Sequence, residues 1–157
     1  MPKQTISYTM SILGFDLSIK QERQSNVKVW RPTLRVKVSN GEHGIESFGV
    51  VDSGSDFTCL PTWTAEPLGV TLANPVVTTG VGGKNVTYFY PVTIQFPDID
   101  GAPLFAVNAA FVDGLNEWVQ DGVPVGLLGQ NGFFDRFKVG FDFRQKTFDV
   151  EPFEVAA

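Results

Sequence analysis

The sequence predicts an all-β protein, and three observations carry the prediction. Apolar and polar residues alternate with a period of two along most of the chain. The alternating runs are separated by short clusters of Gly, Pro, Asn and Asp. Only one stretch, Asn131 to Phe137, has helical spacing, with Phe133, Phe134 and Phe137 on one side. The 157 residues are the length of one ordinary domain, which buries about two thirds of its unfolded surface without help from disulfides or metals.

Taken in order, Ile6, Tyr8, Met10 and Ile12 alternate with Ser7, Thr9 and Ser11, and Phe15, Leu17 and Ile19 resume the pattern after Gly14. Both runs read as strands with one wet face, followed by a polar loop from Gln21 to Asn26. Leu34, Val36 and Val38 alternate with Arg35, Lys37 and Ser39; Asn40 to Gly44 turns the chain, and Ile45 to Val51 returns as a strand that delivers Asp52 at its end. Leu60 to Val70 holds two prolines and reads as a short helical turn or irregular link. Val76 to Val81 and Val86 to Phe96 form a hairpin tipped by Gly82, Gly83, Lys84 and Asn85. Asp98 to Pro103 is a turn, Leu104 to Val112 a strand, Gly114 to Pro124 a loop carrying Trp118, and Val125 to Leu128 a short buried strand. After the helix, Val139 to Phe143 and Phe148 to Val150 close the chain as paired strands around Arg144 to Lys146. No repeat or long linker divides the chain.

Composition narrows the chemistry. Twelve basic and 17 acidic residues give a net charge of −5, so a phosphate backbone is not the expected partner. Ten acidic against four basic residues lie from Asp98 onward. No run approaches a membrane span, and the N-terminus lacks a signal peptide's apolar block, so the expectation is a soluble, cytoplasmic protein. One Cys excludes a disulfide within the chain, and one Cys with one His do not fill the common zinc patterns. No metal or cofactor is expected. His43 sits between glycines in a predicted turn, which leaves Ser or Cys nucleophiles without a base. The glycines at 80, 82 and 83 complete neither a dinucleotide fingerprint nor a phosphate loop. Cys59 reads as a small buried hydrophobe.

The informative segment is Val50-Val51-Asp52-Ser53-Gly54-Ser55-Asp56, where a carboxylate leaves an apolar strand and enters a turn of small residues. By itself it is either a plain Asp-Ser-Gly turn or a carboxylate held in a cleft floor by backbone amides and the Ser55 hydroxyl. Some seventy residues later, Val125-Gly126-Leu127-Leu128-Gly129-Gln130-Asn131 is an apolar strand ending at glycine, and the glycine-tipped hairpin lies between the two.

In this order the three features resemble the retropepsin-like aspartic proteases, over about Pro32 to Val150. The resemblance implies a closed β-barrel of the acid protease fold with a flap hairpin and a short C-terminal helix. It implies one domain over residues 1–157, with 1–31 a β extension outside it. Carried over by position, Asp52 matches the catalytic aspartate. Ser53 matches the hydroxyl residue that bonds across to a partner subunit, Gly54 the close approach of substrate, and Ser55 the small residue supporting the carboxylate. Asp56 matches an acidic position near the substrate main chain, Val81, Gly82 and Gly83 the flap tip, and Leu128, Gly129, Gln130 and Asn131 the structural element beneath the site. Relatives often carry Arg where Gln130 stands, and that Arg pairs with the residue matching Asp56; Gln130 offers only hydrogen bonds.

This chemistry needs two carboxylates around one water: the charged one takes a proton from the attacking water and the protonated one polarises the scissile carbonyl. Such a pair, about 3 Å apart, does not ionise twice cheaply, so acidic operation is implied. The chain has one Asp-Ser-Gly, so the resemblance implies a symmetric homodimer acting on an extended polypeptide, with neither nucleic acid nor membrane as partner. The alternatives are a catalytically weak peptide-binding module on the same fold, and an acidic β-barrel for a small apolar ligand.

Overall fold

A computed structural model describes residues 3–12, 28–80 and 83–153 of the chain. Within them the strands are β1 (Gln4–Ser7), β2 (Thr9–Ile12), β3 (Lys28–Arg31), β4 (Thr33–Asn40), β5 (His43–Val51), β6 (Cys59–Pro61), β7 (Val76–Gly80), β8 (Gly83–Gln95), β9 (Leu104–Val112), β10 (Val119–Gln120), β11 (Val123–Leu128), β12 (Phe137–Asp142) and β13 (Thr147–Pro152). Single 3-10 turns lie at Thr62–Thr64 and Asp113–Leu115.

The β4–β5 hairpin follows the alternation of its residues. Leu34, Val36 and Val38 point into the core while Arg35 and Lys37 face water, because successive side chains of a strand leave on opposite faces. In the main sheet β5 pairs with β4, β4 with β8, β8 with β9, and β9 with β6. Strand β11 runs parallel to β5 on one side and pairs with β6 on the other, through Leu127 and Cys59. The pairings therefore return to the strand from which they started. Strand β8 serves two structures. Its last three residues pair with β4 over the core, and its first five pair with β7 in a projecting hairpin.

The core gathers Leu34, Val38, Ile94, Phe111 and Leu128 from this sheet with Phe133, Phe137, Phe148 and Val150 from the C-terminal segment. Phe96, Phe133 and Phe137 meet as an aromatic cluster with ring centroids 5.0–5.9 Å apart, a spacing at which edge-to-face packing is favourable. A second sheet, in the order β1-β13-β12, lies against this cluster. Strands β2 and β3 form a separate ribbon.

Four expectations are corrected. Asn131 to Phe137 is not a helix: Gly132 stands at φ +105°, where a right-handed helix cannot continue, and Asn131 is drawn into a bridge with Phe57. The three phenylalanines still reach the core, from a series of turns. Ile6 to Ile12 is two strands, since the chain leaves β13 after Ser7 and pairs with β3 from Thr9. Gly114 to Pro124 is not all loop, because β10 pairs back onto β11. The hairpin pairing reaches further than the glycines suggest: Lys84 and Asn85 already pair with Thr79 and Thr78, and Gly83 with Gly80. Val81 and Gly82, the run from Phe15 to Ile19 and the predicted loop from Gln21 to Asn26 lie outside the described residues.

A clasp joins the two sheets. Arg35 donates to both carboxylate oxygens of Asp98, at 3.0 and 2.7 Å, while Gln4 donates to the Asp98 carbonyl and accepts from the Asp100 amide, both at 2.8 Å. Hydrogen bonding from Arg35 holds the Asp98 carboxyl below its ordinary value of 3.8. A group lowered on folding stabilises the fold above its unfolded value, and that contribution disappears as the pH falls through the lowered one. Asp98→Asn is therefore expected to lower the melting temperature near pH 6, with the gap to wild type closing towards pH 2. Thermal melts across that range check it, and a gap independent of pH would reject the assignment.

Candidate active site

The site is built where β5 ends. Val51 pairs with Leu128 of β11, and the Asp52 amide donates to the Leu128 carbonyl at 3.0 Å. The chain then turns tightly. The Ser55 amide donates to the Asp52 carbonyl at 3.2 Å, and the Gly54 amide donates to Asp52 Oδ1 at 2.9 Å. One carboxylate oxygen is thus held by a backbone amide. A Cβ at Gly54 would stand 3.2 Å from that same oxygen, a tight contact to which the carboxylate would have to give way by a few tenths of an ångström.

Residues 52–58 link β5 to β6, which pair with the end of β11 from its two sides, so the loop must pass over the end of that strand. Gly129 is the residue beneath it: a Cβ would come within 2.5 Å of the Ser55 carbonyl oxygen and closer still to that of Phe57. The next two residues fasten the loop from below. The Gln130 amide donates to the Ser55 carbonyl at 2.8 Å, and the Gln130 side-chain amide donates to the Ser53 carbonyl at 3.0 Å. Asn131 donates to the Asp56 carbonyl from both its main-chain and side-chain nitrogens, at 3.0 and 2.7 Å. Thr58 returns two bonds, from amide and hydroxyl, to the Asn131 carbonyl at 3.1 and 2.9 Å. Gln130 therefore holds the backbone of the Asp-Ser-Gly turn, a task that needs no charge.

Asp52 is half-buried, and with Gly54, Ser55 and Asp56 it lines one side of a cleft of about 620 Å³. Opposite lie Thr78, Thr79 and Gly80 of β7 with Asn85 and Thr87 of β8; the Thr78 and Thr87 hydroxyls are 2.7 Å apart. The remaining wall is apolar, from Phe57, Ala110, Val112, Leu115, Trp118 and Leu127. The hairpin is moored where the Val86 amide donates to Asp113 Oδ1 at 3.1 Å.

The residues singled out from sequence divide into three groups. Asp52, Gly54, Ser55 and Asp56 meet at the cleft. Leu128, Gly129, Gln130 and Asn131 lie beneath, as the buried strand end and the fastening just described. Ser53 and Gly83 are exposed outside the cleft lining, and Val81 and Gly82 are beyond the described residues. The expected bond from Ser55 to the Asp52 carboxylate is not made: its hydroxyl donates to the Phe57 carbonyl at 2.8 Å and lies 3.7 Å from Cys59 Sγ. Sequence reasoning passed over the threonines of the hairpin; for Trp118 it offered either a wall of the cleft or dimer edge or a plain exposed aromatic, and Trp118 lines the cleft. The alternation of Thr78 with Val77 and of Thr87 with Val86 was the available signal, since it puts both hydroxyls on one face.

Cys59 is buried as expected. Burial pushes its thiol up to about 11; Asp52 and Asp56 add to this, against a hydrogen bond with Ser55. The thiolate is the reactive form. Labelling by a thiol reagent near pH 8 is therefore expected to be at least about 100-fold slower in the native protein than in denaturant, and native labelling as fast as that of a free thiol would contradict this placement.

Residues 34–131 match the protein family described as aspartyl protease, a span from the start of β4 to the Asn131 fastening. No curated protein matches the chain. Among solved structures, the EIAV protease complexed with the inhibitor HBY-793 is similar at 23% identity, with a TM-score of 0.44, over 64% of this chain and 82% of that one.

Proposed function

This chain belongs to the aspartyl protease family, and from that premise we propose that it is an aspartic endopeptidase working as a symmetric homodimer, in which two Asp52 side chains flank one water. The observation that carries the reading is the setting of Asp52. It leaves the end of a buried strand, has one oxygen held by the Gly54 amide, and faces a cleft whose volume suits several substrate side chains. Ionised Asp52 of one subunit removes a proton from the water, whose oxygen attacks the scissile carbonyl. Protonated Asp52 of the other subunit donates a hydrogen bond to that carbonyl oxygen and a proton is then passed to the leaving nitrogen.

In this reading the substrate lies as an extended strand between the turn at 52–56 and the β7–β8 hairpin, which serves as a flap with Val81, Gly82 and Gly83 at its tip. Exposed main-chain groups of such a segment supply affinity, and the apolar wall around Trp118 and Leu115 receives alternate side chains. Asp56 borders the cleft as a candidate acceptor for substrate main-chain amides. The returning circuit of strand pairings is the barrel that keeps these parts in place.

The test compares wild type with Asp52→Asn on an unstructured protein between about pH 3.5 and 7, with and without a statine-type inhibitor. Cleavage by wild type alone, blocked by the inhibitor, is expected. Equal cleavage by both proteins would remove Asp52 from the mechanism.

A further inference from the structure

Strand β9 is covered on one side over only part of its length. Strand β8 pairs with all of it, from Leu104 to Val112, but β6 pairs on the other side only with Ala110 to Val112. Before Ala110 that other side has no partner strand among the described residues. Two observations fix the direction of the backbone there. The Ala110 amide turns away from β8 and donates to the Thr58 carbonyl at 2.9 Å. Asn108 stands opposite Pro91 of β8, which has no N–H to give. Alternation along the strand then turns the amides and carbonyls of Asn108 and Ala106 outward as well, and no described residue bonds to them.

This open edge lines a second cavity, of about 270 Å³. The turn after β11 supplies the rest of the lining. Its Gly132 approaches β9 so closely that a Cβ would lie 3.1 Å from Val107 Cγ1, and Asn131, Asp135 and Arg136 beside it are exposed. Phe57, bridged to Asn131, borders this cavity and also the cleft that holds Asp52. One face of β9 runs through both, since Ala110 and Val112 line the cleft and Ala106 and Asn108 the cavity. The cavity therefore continues the cleft past Phe57. Arg136 sets its charge. The guanidinium carbon lies 4.3 Å from the centre of the Phe105 ring, and the group has no carboxylate partner among the described residues. Asp135 turns instead to the Gly132 amide, which donates to its Oδ1 at 3.1 Å.

We infer that this edge is an exosite, in which a flank of the polypeptide being cleaved adds to β9 at Ala106 and Asn108 as a short strand and sets an acidic side chain against Arg136. Outward amides and carbonyls along a strand are matched by the main chain of another extended segment. A free guanidinium is matched by a carboxylate, which it meets with two parallel hydrogen bonds. The occupant follows from continuity, because a chain lying extended in the cleft reaches the cavity along the face of β9 that lines both. The inference rests on the protease reading above and adds to it the part of the substrate outside the cleft. In the symmetric dimer each subunit carries one such slot, so each flank of the scissile bond has its own.

Substrate length reads the exosite directly. The test uses a peptide of about eight residues around a bond that wild type cleaves in an unstructured protein, and the same peptide lengthened by about six residues on each side. Assays are run above about pH 5, where glutamate is mostly ionised. With extensions carrying glutamate, wild type is expected to show a KM about tenfold lower than for the short peptide at similar kcat, the mark of binding away from the reacting bond. Asn108→Pro removes one outward amide at a strand edge, where proline is tolerated. It is expected to abolish that advantage and to leave cleavage of the short peptide within about twofold of wild type. Arg136→Glu is expected to reverse the charge preference, so that extensions carrying lysine give the lower KM by about fivefold. Arg136 is exposed, so this variant carries the test even where the proline variant does not fold. A wild type that cleaves the short peptide and gains nothing from the extensions, or variants that change both lengths alike, overturns the exosite and leaves the protease reading standing. A wild type that cleaves neither peptide nor protein between about pH 3.5 and 7 overturns both.

Discussion

Mixing wild-type chains with an equal amount of Asp52→Asn chains, followed by subunit exchange, is expected to reduce peptidase activity to about a quarter of that of the same total amount of wild type. Random pairing leaves one dimer in four with two aspartates, and a dimer with one has lost either its base or its acid. If each chain carried a complete site, the mixture would retain half. The pure Asp52→Asn dimer should lose about 10² to 10⁴-fold or more in kcat, the range attached to positioned acid–base catalysis, with KM changed little because the cleft walls are intact. The asparagine can still accept from the Gly54 amide that now meets Asp52 Oδ1 at 2.9 Å, so the turn keeps its shape. Activity that follows the number of wild-type chains rather than the number of wild-type pairs would rule out a shared site.

Gly129→Ala is expected to cost about 3 kcal/mol or more in unfolding free energy and to abolish activity with it. The atoms that a Cβ would strike at Gly129 are the carbonyl oxygens of Ser55 and Phe57. Both belong to the backbone of the loop that carries Asp52, so no side-chain rotation relieves the clash. Either the loop lifts, losing the bonds from the Gln130 and Asn131 amides at 2.8 and 3.0 Å, or β11 shifts against β5. The control is Gly44→Ala, where the nearest atom to an added Cβ is a carbonyl oxygen at 3.6 Å, an ordinary contact; it should stay within about 0.5 kcal/mol of wild type. Urea denaturation at one protein concentration measures both, since the stability of a dimer depends on concentration. A Gly129→Ala protein as stable as the control would show that the loop does not cross the strand at so close a distance.

The parts of the fold visible in sequence were those set by local alternation. Leu34, Val36 and Val38 announced β4, and the run from Leu104 to Val112 is a strand with those bounds, because a half-buried strand writes its two faces into successive residues. The phenylalanines at 133, 134 and 137 announced a buried face equally well but misstated the structure beneath it. Spacings of three and four also arise in a chain of turns, and the positive φ of Gly132 follows from the pull of Phe57 and Thr58 on Asn131, which no local pattern contains. The Gln130 side chain went to the Ser53 carbonyl for the same reason, since the two come within reach only once the loop has crossed β11, whereas the Ser55 hydroxyl found a local acceptor two residues on, at Phe57.

By itself, then, the sequence determined that the chain is built of strands, that Asp52 stands at the end of one in a turn of small residues, and that this Asp-Ser-Gly motif occurs once. Composition, period and motif order are properties of neighbours along the chain, and these conclusions need nothing else. Only the tertiary structure decided that β11 lies between β5 and β6, that Gly129 must therefore be bare, and that Thr78, Thr87 and Trp118 share a cleft with Asp52. Those facts depend on pairings between residues tens of positions apart, and such pairings are selected by the burial of a common core and the satisfaction of every backbone group at once.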